Sequence, residues 1–305
     1  MILTVTLNAA LDVTYEVASL RLGESHRSTT GAVRAGGKGI NVARVLHALG
    51  HETMVTGLVG GDTGAAIRAD VLMSGLREGL LEMAGPSRRT VTIVSTQDGT
   101  ATAVNEPGPP VSISDWADFV GGYHALAARA SMVVLSGSLP PSLPDDAYAQ
   151  LIRATPTPTI LDTSGDALLA GLAARPDVIK PNADELLAAT GEADPVRAAR
   201  VLHSRGAGAV VASLGRDGLV AVTGEGVWRA RLPEPVHGNP TGAGDACVAA
   251  LAAGRDRPWP ERLAEAVAVG AAAVARPLAG EIDPDTYRRL RPLITLEELD
   301  AHADR

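Results

Sequence analysis

Short β-branched runs alternate with stretches rich in alanine, leucine and arginine along almost the whole chain, and this rhythm limits the fold more than any other feature. Ile2–Leu7, Thr53–Leu58, Met132–Leu135, Thr159–Leu161, Asp177–Ile179 and Ala209–Ser213 read as strands. Gly39–Leu49, Thr63–Met73, Ser114–Ala128, Asp145–Ala154, Asn182–Thr190, Pro195–Ser204, Ala243–Gly254 and Pro260–Val274 read as helices. Alternation at this spacing predicts an α/β protein with a mostly parallel sheet and helices on both faces. Two segments break the rhythm. Val13–Val33 and Thr90–Val104 alternate apolar and polar residues without a helix, which predicts a small β-element outside the main sheet. Both flank glycine- or arginine-rich motifs, so a lid over a site is expected, with a pair of surface hairpins as the plainer alternative. The core is then 1–11, 34–86 and 107–305, and the lid 12–33 and 87–106.

Composition narrows the function classes. The 305 residues are 46% hydrophobic, enough for a sizeable buried core. The net charge of −8, with no dominant basic patch, argues against a nucleic-acid partner. An anionic small molecule would need a local cluster of cations. Cys247 is the one cysteine, so no internal disulfide framework is expected, and a reducing cytoplasm suits the chain. The opening residues MILTVTLNAALD lack a basic stretch and read as a strand and its exit, not as a signal peptide. No run of about 20 apolar residues predicts a membrane span.

Two residue types are used sparingly. Of 27 basic residues only Lys38 and Lys180 are lysine, and the asparagines are Asn8, Asn41, Asn105, Asn182 and Asn239. All seven fall in turn-rich motifs: LNAALD, GGKGIN, VNEPG, KPNADE and GNPTGAGD. An ammonium is a compact charge that the planar fork of arginine does not imitate, and an amide both donates and accepts. These residues are therefore expected where chemistry requires them. Turn formation accounts for one or two of the asparagines, but not for both lysines.

The most informative motif is Gly238-Asn-Pro-Thr-Gly-Ala-Gly-Asp245, followed by the helical run Ala246–Ala253. Gly242 and Gly244 free successive N–H groups to point one way at a helix N-terminus, a nest that stabilises an anion. Asp245 in the first turn can take a proton from an alcohol. A nest beside one carboxylate is what phosphoryl transfer to a hydroxyl needs, although a tight turn before a helix has the same outline. The GxxxxGK[ST] and GxGxxG motifs are absent, which argues against a P-loop NTPase or a dinucleotide-binding dehydrogenase. In Ala35-Gly-Gly-Lys-Gly-Ile-Asn41 three glycines allow close approach of a ligand, and Lys38 and Asn41 can bind hydroxyls or a phosphate. Asp12 suits a vicinal diol, or caps a turn. Alternation sends Arg88 and Arg89 to opposite sides, so one can clamp an anion while the other is solvated.

LNAALD, AGGKGINVARVL, VNEPGP, LSGSLPP, LDTSG, KPNADEL, VASLGRDG and NPTGAGDA occur in this order. In that order the chain resembles the phosphofructokinase B family of ribokinase-like carbohydrate kinases over nearly its whole length. GGKGINVAR and SGSLPP make it most similar to the 1-phosphofructokinase and tagatose-6-phosphate kinase branch. The resemblance implies a three-layer α/β/α core with a small β lid that can also serve in dimerisation, ATP as donor and Mg²⁺ as cofactor. It implies Asp245 as catalytic base and Gly242, Ala243 and Gly244 as an anion hole. Lys180, Asn182 and Glu185 match the segment that acts on Mg²⁺ and the ATP phosphates, with Asn182 and Glu185 on the metal side. Ser213 and Gly215 match the nucleotide-binding loop. Asp12, Gly37, Lys38, Asn41, Arg88 and Ser138 match sugar-side positions.

Three departures bear on the sugar. Ala9-Ala10-Leu11-Asp12 stands where the branch often has Pro-Ala-Leu-Asp, Ser142 replaces a glycine, and Thr90 replaces an asparagine, which removes an expected sugar or phosphate contact. Arg27, Lys38 and Arg88 favour a phosphorylated ketohexose, with fructose 1-phosphate the default. An unphosphorylated sugar or a sugar-like polyol is the alternative, and a non-catalytic sugar or nucleotide sensor the alternative of another class.

Overall fold

The computed structural model describes residues 1–28 and 30–299. In chain order the elements begin β1 (Ile2–Thr6), β2 (Ala10–Val17), β3 (Thr30–Gly36), α1 (Lys38–Ala48), β4 (Thr53–Val59), α2 (Gly61–Met73) and β5 (Arg77–Glu82). Next come β6 (Arg88–Ser95), β7 (Ala101–Asn105), α3 (Ile113–Ala127), β8 (Met132–Ser136), α4 (Ala147–Arg153), β9 (Thr159–Asp162), α5 (Gly165–Leu172) and β10 (Val178–Ile179). The chain continues through α6 (Ala183–Thr190), α7 (Pro195–Ser204), β11 (Ala209–Ser213), β12 (Leu219–Thr223) and β13 (Val227–Arg231). It ends in α8 (Ala243–Ala253), α9 (Trp259–Val274), α10 (Pro284–Leu290) and β14 (Thr295–Leu299).

The main sheet has the order β14-β13-β12-β11-β10-β9-β8-β1-β4-β5. It is parallel from β5 to β11 and antiparallel from β11 to β14. Strand alternation divides the core. Leu3, Val5, Val133 and Leu135 face a layer containing Phe119, Tyr123, Tyr148, Leu151 and Leu202. Ile2, Met132, Val134 and Val211 face α1, α8 and α9 through Val42, Val45, Val248, Leu251, Leu263 and Val269. Helices cover both faces, which is the three-layer architecture and explains why its parallel strands are apolar on both sides. Aromatics are scarce, and small residues do much of the packing. Every residue of α8 from Asp245 to Ala252 is buried, and alanines let it lie between the sheet and α9.

The sequence reading misses β5, β12, β13, β14, α5 and α10. β5 (REGLLE) has a central glycine and no β-branched residue, and α5 contains two glycines. β11 and β12 are joined by one 3-10 turn, Gly215–Asp217, too short for the crossover that a parallel pair requires. A second sheet, β3-β2-β6-β7, stands apart from the first. Its base is anchored where Leu11 and Ala35 pack with Ile40, Ala43 and Ile67 of α1 and α2.

Candidate active site

Five parallel strands deliver their C-terminal ends to one edge of the main sheet. Asn8 follows β1, Ser138 follows β8, Asp162 ends β9, Lys180 follows β10 and Ser213 ends β11. β1 lies between β8 and β4, where the strand order reverses. Crevices at such reversals are where open α/β sheets bind ligands.

Helix α8 enters this edge with its N-terminus bare. Gly242 is its N-cap at φ 83 with no side-chain capping bond. A Cβ there would lie 2.8 Å from Ala279 Cβ, so both conformation and space require glycine. Ala243 N–H donates to Pro240 O at 3.1 Å. The N–H groups of Gly244 and Asp245 have no acceptor among the described residues. A Cβ on Gly244 would lie 3.4 Å from Lys180 Nζ, so an ammonium stands beside the free N–H groups. Helix dipole, N–H groups and ammonium all favour an anion here.

Asp245 is buried and accepts from Asn41 Nδ2 at 2.8 Å. Burial, reinforced by the neighbouring Asp162 charge, pushes its carboxyl up to about 7, against the pull of Asn41, Lys38 and Lys180. A carboxylate poised near neutrality suits a general base. Asp162, 1% exposed, holds both lysines on one oxygen: Lys38 Nζ lies 3.3 Å and Lys180 Nζ 3.5 Å from Oδ1. Its Oδ2 is buried with no hydrogen-bond partner. Burial works against the Lys38 ammonium, yet the charges of Asp162, Asp245 and Glu185 hold it above the usual range.

Asn182 and Glu185 close a capping box at α6: Glu185 N donates to Asn182 Oδ1 at 2.8 Å, and Asn182 N to Glu185 Oε2 at 2.9 Å. Asn182 bridges Ser213, and Gly215 opens the turn that follows at φ 59. Of the asparagines, Asn239 serves its own turn, accepting from Thr241 N at 3.0 Å and donating to Pro277 O at 2.8 Å.

The small sheet supplies the opposite wall. Gly37 caps α1 immediately before Lys38. Register sets Arg34, Asp12, Thr90 and Asn105 in one row across its four strands. The Asp12 carboxylate fills the side that Gly36 leaves open; burial raises its pKa, against Thr90, Arg88, Arg44 and Arg34. Arg88 donates through Nε to Asn8 O at 3.1 Å and through Nη1 to Thr90 Oγ1 at 3.4 Å and Glu106 O at 3.3 Å. Asn8 Nδ2 reaches Ser138 Oγ at 3.2 Å, which links Arg88 to the loop after β8. Arg89, on the other side of the strand, is exposed, as is Arg27.

Sequence reasoning gave no role to Asp162, Asn8 or Thr90. Asn8 belongs to the sparse asparagine set, and Asp162 lies in the LDTSG motif at a strand end; either signal points to this edge. Thr90, where the resemblance expects an asparagine, accepts from Arg88 Nη1 through its hydroxyl at 3.4 Å.

A buried carboxylate in the first turn of a bare helix N-terminus, with two ammoniums nearby, suits the chemistry of phosphotransferases that act on alcohols. Residues 5–286 match the family of pfkB carbohydrate kinases, and the chain belongs to that family; it is an ATP-dependent carbohydrate kinase with a ribokinase-like fold. Among solved structures, phosphofructokinase-2 from Escherichia coli in complex with fructose-6-phosphate is 27% identical, covers 95% of this chain and 98% of its own, and superposes with a TM-score of 0.86. A possible 1-phosphofructokinase from Thermotoga maritima is 26% identical over 98% of this chain and 100% of its own, with a TM-score of 0.88. A protein provisionally described as a phosphofructokinase, from Staphylococcus aureus, is 30% identical over 98% of this chain and 99% of its own, with a TM-score of 0.82. Among the described residues no helix is long and apolar enough to cross a membrane.

Proposed function

We propose that this kinase transfers the γ-phosphoryl group of ATP to a hydroxyl of a phosphorylated ketohexose, with fructose 1-phosphate giving fructose 1,6-bisphosphate as the default. The observation that carries the phosphorylated substrate is Arg88. Its guanidinium is half-buried, and desolvation holds it below the usual range against the pull of Asp12 and Glu106. It forms no ion pair among the described residues. A desolvated guanidinium without a carboxylate partner suits an incoming phosphate. The relative from Escherichia coli, crystallised with fructose-6-phosphate, lends the same support.

In this reading Asp12 holds sugar hydroxyls, and Gly37, Lys38, Asn41 and Ser138 line the sugar side. Asp245 takes the hydroxyl proton as that oxygen bonds to phosphorus and the bond to the ADP oxygen breaks. The free N–H groups of Gly244 and Asp245 and the Lys180 ammonium stabilise the phosphoryl group in passage, whereas the Ala243 N–H is taken by Pro240 O. Ser213 and Gly215 lie on the nucleotide side. The unpartnered Asp162 Oδ2 and the carboxylate of Glu185, which Asn182 holds in the capping box, would be the groups to hold Mg²⁺. Mg²⁺ there would neutralise charge on the transferring phosphates.

The small sheet is the lid in this proposal, and its outer face seats a second copy of the chain. Val33, Val13, Val91 and Val104 form one row across all four strands, on the face opposite Asp12. Val33 is 61% and Val104 60% exposed, and Tyr15 on the same face is 42% exposed. A β surface with this much exposed apolar area is a typical partner site. Assembly is already known for the Escherichia coli relative, which has a tetrameric inhibited form.

The test is an ADP-release screen with fructose 1-phosphate, fructose 6-phosphate and free fructose. Turnover confined to a sugar phosphate supports the reading. Equal or faster use of the free sugar overturns it in favour of the polyol kinase, and no turnover of any sugar favours a sensor.

A further inference from the structure

Arg34 and Asp12 are directly opposed in the antiparallel β2–β3 pair, so their side chains leave the same face of the sheet as close neighbours. Left to themselves, a guanidinium and a carboxylate so placed would pair. They do not. Arg34 Nη1 donates instead to Glu281 Oε1 at 3.0 Å. Asp12 forms no ion pair among the described residues. Glu281 is itself braced. Its Oε2 accepts from Arg276 Nε at 3.0 Å and Nη2 at 2.8 Å. The Arg34 and Glu281 side chains are only 22% and 27% exposed, so water screens their attraction less than at an open surface.

Glu281 lies on the connection between α9 and α10, which runs behind the transfer centre. A Cβ on Gly280 would lie 3.2 Å from both Cα and Oδ1 of Asn41, the residue that bonds Asp245. Ala279, one residue earlier, packs against Gly242 at the head of α8. One short segment therefore touches the lid, the Asn41 side of the base, and the N-cap of the anion-binding helix.

We propose that Glu281 is a positioning residue that withholds Arg34 from Asp12, keeping the Asp12 carboxylate free for the sugar while tying that edge of the lid to the segment behind the transfer centre. This inference rests on the sugar-kinase reading of the site. Without Glu281, Arg34 turns to its cross-strand neighbour Asp12. An entering sugar must then displace an ion pair before it can bond. The nucleotide side is spared, because Lys180 and the free N–H groups of α8 lie on the other wall.

Steady-state kinetics on wild type, Glu281→Ala, Arg34→Met and the double variant test this, with ATP and whichever of fructose 1-phosphate or fructose 6-phosphate wild type uses better. Glu281→Ala is expected to raise the sugar KM about tenfold or more, the value of one charge-assisted contact, and to leave the ATP KM within about twofold. The double variant is expected to return the sugar KM to within about threefold of wild type, since the guanidinium that Glu281 had held is gone. A residue that only held the fold would leave the double variant as impaired as the single one, and that result overturns the proposal. A sugar KM unchanged in Glu281→Ala overturns it as well. If Glu281→Ala fails to fold, Glu281→Gln keeps size and one acceptor, and it too must raise the sugar KM in a way that Arg34→Met relieves. An active wild type with a flat Glu281 series removes this inference alone, whereas a wild type that phosphorylates no sugar removes the functional reading with it.

Discussion

Asn41 reaches across from α1 to α8 and donates to the Asp245 carboxylate at 2.8 Å, a bond that orients the proposed base and favours its charged form. The acid limb of the kcat/KM profile should therefore fall near pH 7, with the rate dropping tenfold per pH unit below it. Asn41→Ala should move that limb to higher pH, since a bond to the carboxylate form is lost. A pH–rate profile on the two proteins checks both statements.

Asp245→Asn should lower turnover by about 10²–10⁴-fold and yet stabilise the protein. The sign follows from the raised carboxyl. Between the ordinary value of 3.8 and about 7 the folded chain binds more protons than the unfolded one, so stability falls as pH rises through that window. Asparagine cannot ionise and escapes the loss. Thermal melts should show the variant above wild type at pH 8 and the difference shrinking at pH 5.

Asp162→Asn removes the charge that both lysines share. Lys180, 5% exposed, is then left as a buried ammonium without its partner. A loss of about 3 kcal/mol in denaturant titrations is expected, together with a large fall in turnover. Unchanged stability would mean that the paired charges add nothing to the fold.

Arg88→Ala should raise the KM for a sugar phosphate about 10–150-fold, from a lost contact of roughly 1.5–3 kcal/mol, and change the ATP KM little. Free fructose, which brings no phosphate, should be indifferent to the change. Equal effects on both sugars would assign Arg88 to the lid's structure instead.

Val33→Glu combined with Val104→Glu places two charges on the outer lid face. Light scattering should then report the monomer mass where wild type reports a multiple. A wild type that is already monomeric removes the second copy from that face.

The parts of this molecule legible in its sequence are those written in contiguous residues. The parallel strands and their helices follow from local periodicity, and the stretch Gly242–Asp245 carries the proposed anion site and the proposed base within one turn. The scarcity of lysine pointed to Lys38 and Lys180 before anything showed what they hold. Asp162 was not legible in this way, because it is one acid among 35 and its role arises only when two distant lysines fold onto it. Arg34 and Glu281 are 247 residues apart, beyond the reach of any spacing argument. The antiparallel edge β12–β14 was missed for another reason: without a helix between its strands, it lacks the alternation that marked the rest.

The scarcity of lysine also has a practical consequence. Besides the α-amine, the only primary amines in the chain are those of Lys38, 38% exposed, and Lys180, 5% exposed, and both sit at the proposed nucleotide–sugar boundary. An acylating reagent at alkaline pH thus works as a footprint of this one crevice: mass spectrometry of the Lys38 peptide reads occupancy directly, with no surface lysines to blur the signal.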